Sequence, residues 1–238
     1  MKIGILTLPL HINYGGYLQA FALKSILLEH GNEVYLIENK NLYGNLLKRG
    51  LRQIKDSFSL LLFYLGKKNK EAEFILKEKK ISIFKDNYMC PIVDISNSKT
   101  LNDLDIVIVG SDQVWRPWKG LCRNSLYFFL DFIKSTKTKK ISYAASFGID
   151  KWEYNPVETI QIKKLLQDFS IISVREDDGV SLLQDNLGLP SIRMCDPTLL
   201  LTKNDYLSTL RIHHPDNDRI SSYILDSNLF VMIHVLGT

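Results

Sequence analysis

Five short apolar runs, each cut off by a turn signal, alternate with segments of helical periodicity. That alternation restricts this chain more than any other feature. The runs are Lys2–Leu8, Glu33–Ile37, Ile106–Val109, Lys140–Ala144 and Ile171–Val174. Apolar side chains spaced three and four apart predict helices over Tyr17–His30, Gly44–Leu65, Lys70–Asn87, Pro156–Phe169, Asp178–Leu187 and Lys203–Leu210. Strands separated by helices pair in parallel, with the helices covering both faces of the sheet. Ile106–Val109 and Ile171–Val174 are apolar without alternation, the pattern of strands buried on both faces. The expected class is therefore α/β, with a boundary near Cys195-Asp196-Pro197. A last apolar run covers Leu229–Leu236.

At 238 residues and 45% hydrophobic, the chain can bury a sizeable core. A net charge of +4 is too mild to imply nucleic acid. The three cysteines, Cys90, Cys122 and Cys195, are widely spaced and form no C-x-x-C, so neither a zinc knuckle nor a disulfide framework is suggested. One Lys precedes Ile3 and no small-residue cleavage site follows, which does not read as a secretory signal. The longest apolar stretch, Phe58–Leu65, is far shorter than a membrane span. A reducing cytoplasm fits these features.

Charge is unevenly spread. Between Lys40 and Lys85 lie twelve Lys/Arg against four Asp/Glu. Leu46, Leu47, Leu51, Ile54, Phe58, Leu61 and Leu62 give the same segment an amphipathic helical pattern. One reading is a helical pair with a solvated basic face. The other is a surface over residues 40–85 that docks peripherally on anionic lipid or on an anionic lipid-linked substrate.

Ligands of open parallel sheets bind at the carboxyl ends of the strands, so the residues that follow each run are the ones to inspect. Four clusters stand out. Asn13-Tyr14-Gly15-Gly16 precedes the first helix; its glycines permit close backbone approach, and a helix N-terminus attracts phosphate or carboxylate. The plainer reading is a tight turn with Asn13 as the cap. Gly110-Ser111-Asp112-Gln113-Val114-Trp115 ends the Ile106–Val109 run. There Ser111 or Asp112 could cap a helix, Asp112 is also a candidate base, and Trp115 suits either a sugar ring or a core. Ser142–Gly148 offers small residues, Ser146 among them, that allow close packing or close ligand approach. Arg175 ends the Ile171–Val174 run and can fork onto a carboxylate or phosphate, or pair with Glu176 or Asp177.

The five histidines show no metal-ligand spacing, and no Gly-x-Ser-x-Gly elbow, Walker loop or G-x-G-x-x-G is present. Serine-hydrolase, P-loop and dinucleotide readings are disfavoured, and no metal is expected.

Taken in order, the stretches IGILTLPLHINYGGYLQAFAL, DIVIVGSDQVW, ISYAASFG, ISVREDDGVSLL and CDPTLLL resemble the polysaccharide pyruvyl transferase family. The resemblance runs in patches from residue 3 to about 201. It implies a Rossmann-like parallel sheet with helices on both faces, forming the N-terminal half of a GT-B-like two-domain architecture. Residues 1–200, with a helical segment over 41–87, would be that half, and residues 201–238 a stub of the second. Members usually continue through a complete second half with a late Ser-Phe-His-Gly-like segment, so the chain is expected to be truncated relative to the family.

The implied activity is transfer of a pyruvyl group from phosphoenolpyruvate, the donor substrate, to a sugar of a cell-surface polysaccharide as a ketal. No cofactor is implied. The acceptor would be a lipid-linked oligosaccharide or polysaccharide, met in the cytoplasm or at the inner face of the membrane. In this reading Asp112 is catalytic. Asn13, Tyr14, Gly15, Gly16, Gln19, Gly110, Ser111, Trp115, Ser146 and Arg175 bind substrate. Two alternatives stand beside it: a catalytically incomplete remnant that binds only the acceptor, and a glycosyltransferase that uses a nucleotide sugar.

Overall fold

The structure, a computed structural model, describes residues 1–10, 13–39, 70–117 and 126–211. The expected Gly44–Leu65 helix, the Leu229–Leu236 run and most of the basic 40–85 segment lie outside the described residues, as do residues 212–238.

Among the described residues six strands form one parallel sheet: β1 (Lys2–Leu6), β2 (Glu33–Glu38), β3 (Ile92–Asp94), β4 (Ile106–Gly110), β5 (Lys139–Tyr143) and β6 (Phe169–Ile171). Their spatial order is β3-β2-β1-β4-β5-β6. The chain builds outward from β1 to β3, then returns to the middle and builds outward the other way. The reversal brings Ile3 opposite both Val34 and Ile106, and Leu6 opposite Val109. The crevice beyond the carboxyl ends of β1 and β4 is thus the topological switch point, where open α/β sheets hold ligands.

The alternation of side chains across the pleat sorts the core into two layers. Ile3 and Ile5 of β1, Val34 and Leu36 of β2 and Ile108 of β4 pack on one face with Leu23 and Cys90. Leu6, Ile37, Val107 and Val109 point the other way and meet Ile162, Leu166 and Leu183. Helix α1 (Tyr14–Glu29) covers the first face. On that side Phe21 lies against Phe84 of α2 (Lys70–Tyr88), at a centroid distance of 5.8 Å. Helix α3 (Ser98–Asn102) is one short turn ahead of β4. Helices α4 (Pro156–Leu166) and α5 (Asp177–Leu187) cover the second face. Burying both faces is what makes the β-strand runs nearly continuous in apolar residues.

Helix ends follow local chemistry. Asn155 and Glu158 close a capping box around Pro156 at the start of α4. Gly188, at φ 66°, ends α5 in the left-handed region. Helix α6 (Lys203–Thr209) carries a second capping box between Thr202 and Asp205. It packs back on the first face, with Tyr206 6.2 Å from Phe21 and the Tyr88 hydroxyl donating to the Leu210 carbonyl at 3.2 Å.

Several expected bounds move. The first helix begins at Tyr14 rather than Tyr17, so Tyr14-Gly15-Gly16 is its first turn and not a loop. The expected Ile171–Val174 strand is split. β6 stays in the main sheet, while β7 (Ser173–Val174) pairs with β8 (Ile192–Arg193) and bridges to Ala145. β3 and β8 have no counterpart among the five apolar runs, because each is only two or three residues long. At the described end of the basic segment, Lys85 turns inward, its Nζ donating to Glu38 Oε1 at 2.6 Å.

Candidate functional site

Thr7 follows β1, and α1 starts seven residues beyond it. Asn13 caps that start: its side-chain oxygen accepts from Gly16 N at 3.3 Å. The Tyr17 hydroxyl closes the turn by donating to the Leu10 carbonyl at 2.8 Å. Asn13, Tyr14 and Gly15 are exposed at the mouth of the crevice, and Gly16 is buried.

One turn on, Gln19 is only 3% exposed and joins three segments. Its Nε2 donates to Thr7 Oγ1 at 2.8 Å and to the Gly16 carbonyl at 3.0 Å, and its Oε1 accepts from Ser111 N at 3.0 Å. Thr7 Oγ1 donates in turn to the Ser111 carbonyl at 3.3 Å. A buried amide with every group satisfied is a strut, which locks the end of β1, the first turn of α1 and the end of β4 into one unit.

At the end of β4 the Gly110–Ser111 peptide is cis. Gly110 sits at φ 124°, and a Cβ built there would lie 2.2 Å from the Tyr143 carbonyl oxygen. Glycine is needed here because β5 comes so close. Asp112 follows at φ 74°. Its Oδ1 accepts from Gln113 N at 2.8 Å, and its carbonyl accepts from Val114 N at 2.8 Å and Ser146 N at 2.9 Å. The loop after β4 is thereby tied to the loop after β5.

Two expected ligand contacts are placed in the interior. Trp115 is fully buried; its ring stacks on Phe129 at 5.5 Å and its Nε1 donates to the Phe128 carbonyl at 3.1 Å. The core alternative for Trp115 is the one the packing realises, so it presents no face for a sugar. Ser146 is also fully buried. Its carbonyl accepts from Trp115 N and its hydroxyl from Gly148 N. Ser111 has no exposed surface either. Gly110, Ser111, Trp115, Ser146 and Gln19 build the wall of the crevice; Asn13, Tyr14, Gly15, Asp112 and Arg175 remain at its surface.

Arg175 leaves β7 with its backbone N donating to the Ala145 carbonyl at 3.1 Å. Its Nε donates to Glu176 Oε1 at 2.7 Å and its Nη1 to Asp196 Oδ2 at 3.4 Å. Burial opposes the guanidinium charge. The hydrogen bond to Glu176 and the nearby charges of Asp196 and Asp112 outweigh that, raising Arg175 above its ordinary value. Tyr143, beneath the same loops, is pushed up to about 12 by burial and by neighbouring Cys195 and Asp196, which leaves its phenol neutral.

An open cleft of about 370 Å³ lies beside Arg175. Gln113, Gly148, Asp150, Glu176 and Asp178 share its lining. One guanidinium therefore shares the cleft with three carboxylates. Among the described residues no cluster of His, Cys, Asp or Glu could hold a metal ion, and no helix is long and apolar enough to cross a membrane.

Sequence reasoning missed Thr7 and Asp196. Thr7 carries no signal of its own. Asp196 did carry one: Asp-Pro-Thr is an N-cap followed by proline at the first helical position, and the residues Pro197–Leu199 do form a short 3₁₀ turn capped by Asp196. The model of a family described as polysaccharide pyruvyl transferase matches residues 13–234. No curated protein and no solved structure matches the chain.

Proposed function

We infer the function from one premise: the chain belongs to the polysaccharide pyruvyl transferase family. The reading is transfer of a pyruvyl group from phosphoenolpyruvate to two hydroxyls of a sugar in a cell-surface polysaccharide precursor. In that reaction both sugar oxygens bond to the former enol carbon, the methylene carbon takes one hydroxyl proton, and the carbon–oxygen bond to phosphate breaks. The second proton leaves with phosphate.

The observation that carries the assignment of sides is the charge of the cleft beside Arg175. Asp150, Glu176 and Asp178 would repel a donor bearing both phosphate and carboxylate. They suit a neutral sugar, whose hydroxyls donate to carboxylates and accept from Arg175 and Gln113. The described sheet is then the acceptor side. In this reading Asp112 takes a hydroxyl proton, and Asn13, Tyr14 and Gly15 contact the acceptor from the start of α1. In this reading the sheet is the first of two Rossmann-like units facing one another, as in GT-B enzymes, and phosphoenolpyruvate sits against the second.

Purified protein incubated with phosphoenolpyruvate and lipid-linked or free hexose and N-acetylhexosamine acceptors should release phosphate only when an acceptor is present. Mass spectrometry should find the ketal on the sugar. Asp112→Asn should slow release by about 10²-fold or more, the scale of a general base. Phosphate release that needs no acceptor, or transfer from a nucleotide sugar in its place, would overturn the reading.

A further inference from the structure

Arg175 is a long side chain with five N–H donors in a fixed fork. Its nearest tether, Glu176, is its chain neighbour and is 40% exposed at the side chain. That pair is open to water and holds only the Nε end of the fork. The second tether differs. Asp196 is only 24% exposed at the side chain and is distant in sequence.

The carboxylate of Asp196 is fully engaged. Oδ1 accepts from Thr198 N at 3.0 Å and Thr198 Oγ1 at 2.8 Å. Oδ2 accepts from Ser111 Oγ at 3.0 Å and Arg175 Nη1 at 3.4 Å. An ionised carboxylate offers about four acceptor sites, so none is left for a substrate proton or hydroxyl. Ser111 in turn is held at its backbone N by Gln19, at its carbonyl by Thr7 and at its hydroxyl by Asp196. Gln19 reaches the Gly16 carbonyl in the first turn of α1. A hydrogen-bonded chain therefore runs from the guanidinium through Asp196, Ser111 and Gln19 to the turn capped by Asn13.

We propose that Asp196 is a positioning residue: it sets the plane of the Arg175 guanidinium and fixes it in register with the Asn13–Gly16 turn across the switch point. Two of the five N–H groups of Arg175 are then committed to carboxylates, and three, without a partner among the described residues, are left for a ligand in the cleft. The inference needs the transferase reading only to say which ligand that is.

The test uses the full chain and does not depend on turnover. In Asp196→Asn, the side-chain carbonyl still caps Thr198, and the amide can still pair with the Ser111 hydroxyl, which both donates and accepts. The amide nitrogen, however, faces Arg175 as a second donor. Rotation about the Arg175 Nε–Cζ bond, read from exchange between its two Nη resonances and assigned with Arg175→Lys, should quicken severalfold, short of the factor a full charge-assisted hydrogen bond carries because the contact is 3.4 Å long. Thermal unfolding should stay close to that of the parent. Asp196→Glu, which restores the charge, should slow the rotation again. If Asp196→Asn does not fold, Ser111→Ala keeps both carboxylates, frees Asp196 on one side, and should act in the same direction.

Where phosphate release is measurable, Asp196→Asn should raise the acceptor KM more than it lowers kcat. Unchanged Arg175 rotation in a folded Asp196→Asn or Ser111→Ala protein overturns the proposal, whether or not the chain is active. Faster rotation in a chain with no transferase activity leaves the positioning role standing and removes the functional reading instead.

Discussion

Gln19 Oε1 accepts from Ser111 N at 3.0 Å, across 92 residues of chain, and by that bond the first helix is pinned to the end of the central strand β4. The amide of Gln19 is simultaneously spent on Thr7 and Gly16. Replacing it with Leu strands the buried Ser111 N–H and takes from Thr7 Oγ1 the donor it accepts from. With each orphaned group costing on the order of 1–3 kcal/mol, Gln19→Leu should lower stability by about 3 kcal/mol in urea denaturation. Gln19→Glu keeps the acceptor but places a charge at a 3% exposed position, and should be worse still at neutral pH. A loss below 0.5 kcal/mol for either would mean that water replaces the strut.

Gly110 and Gly31 make a matched pair. Both have positive φ, but a Cβ on Gly31 meets nothing within 4 Å, whereas one on Gly110 would sit 2.2 Å from the Tyr143 carbonyl oxygen. Gly31→Ala should cost about 1 kcal/mol, the left-handed penalty alone. Gly110→Ala should cost about 4 kcal/mol or more, or give no folded protein, since the obstacle is backbone. Circular dichroism against urea reads both.

Trp115 tests whether the aromatic of the second strand-end cluster is core. Trp115→Ala should cost about 3–5 kcal/mol, the range for truncating a buried ring. A cleft-surface platform would cost far less and would leave its effect in acceptor affinity instead. Trp115→Phe, which retains stacking on Phe129 but strands the Phe128 carbonyl, should fall in between.

Cys90 sits in the first-face core, where burial pushes its thiol up to about 11 from the ordinary 9.0, against the opposing pull of Lys24. A raised value means the folded state favours the neutral thiol. The stability this gives is complete below pH 9 and is lost as pH climbs toward 11. Stability measured between those limits should fall more steeply for the parent than for Cys90→Ala. At pH 8, iodoacetamide followed by peptide mapping should label the exposed Cys195 well ahead of Cys90. Equal labelling of the two in folded protein would contradict the buried-thiol assignment.

The sheet was legible because its signal is collective. The runs ending at Leu8, Ile37, Val109 and Ala144 each fall on a strand, since two-sided burial demands apolar side chains at every position. β3 and β8 were illegible because two or three residues carry no periodicity. At the site, residue type pointed to the right loops but not to the direction of each side chain. Asn13 and Arg175 stand at the surface as their chemistry suggests. Ser111 and Trp115 are equally polar or aromatic at a strand end, yet long-range partners, Asp196 and Phe129, draw them inward. Nothing local in Gly-Ser-Asp-Gln-Val-Trp encodes those partners. Asp196 is the converse: its cap signal is local, and its tether to Arg175 exists only once β7 and β8 are paired.

The strand order also sets a timetable for synthesis. Ile3 finds Val34 soon after it leaves the ribosome, but its other neighbour, Ile106, is made about a hundred residues later. At ~5–20 residues per second, β1 waits roughly 5–20 s with one edge open. During that interval the nascent chain carries a parallel pair, β1 and β2, whose free edge has the apolar, β-prone sequence that other chains can extend. Expression yield should therefore depend more on what shields Lys2–Leu6 during translation, such as a trailing chaperone or a slower temperature, than on the stability of the finished sheet.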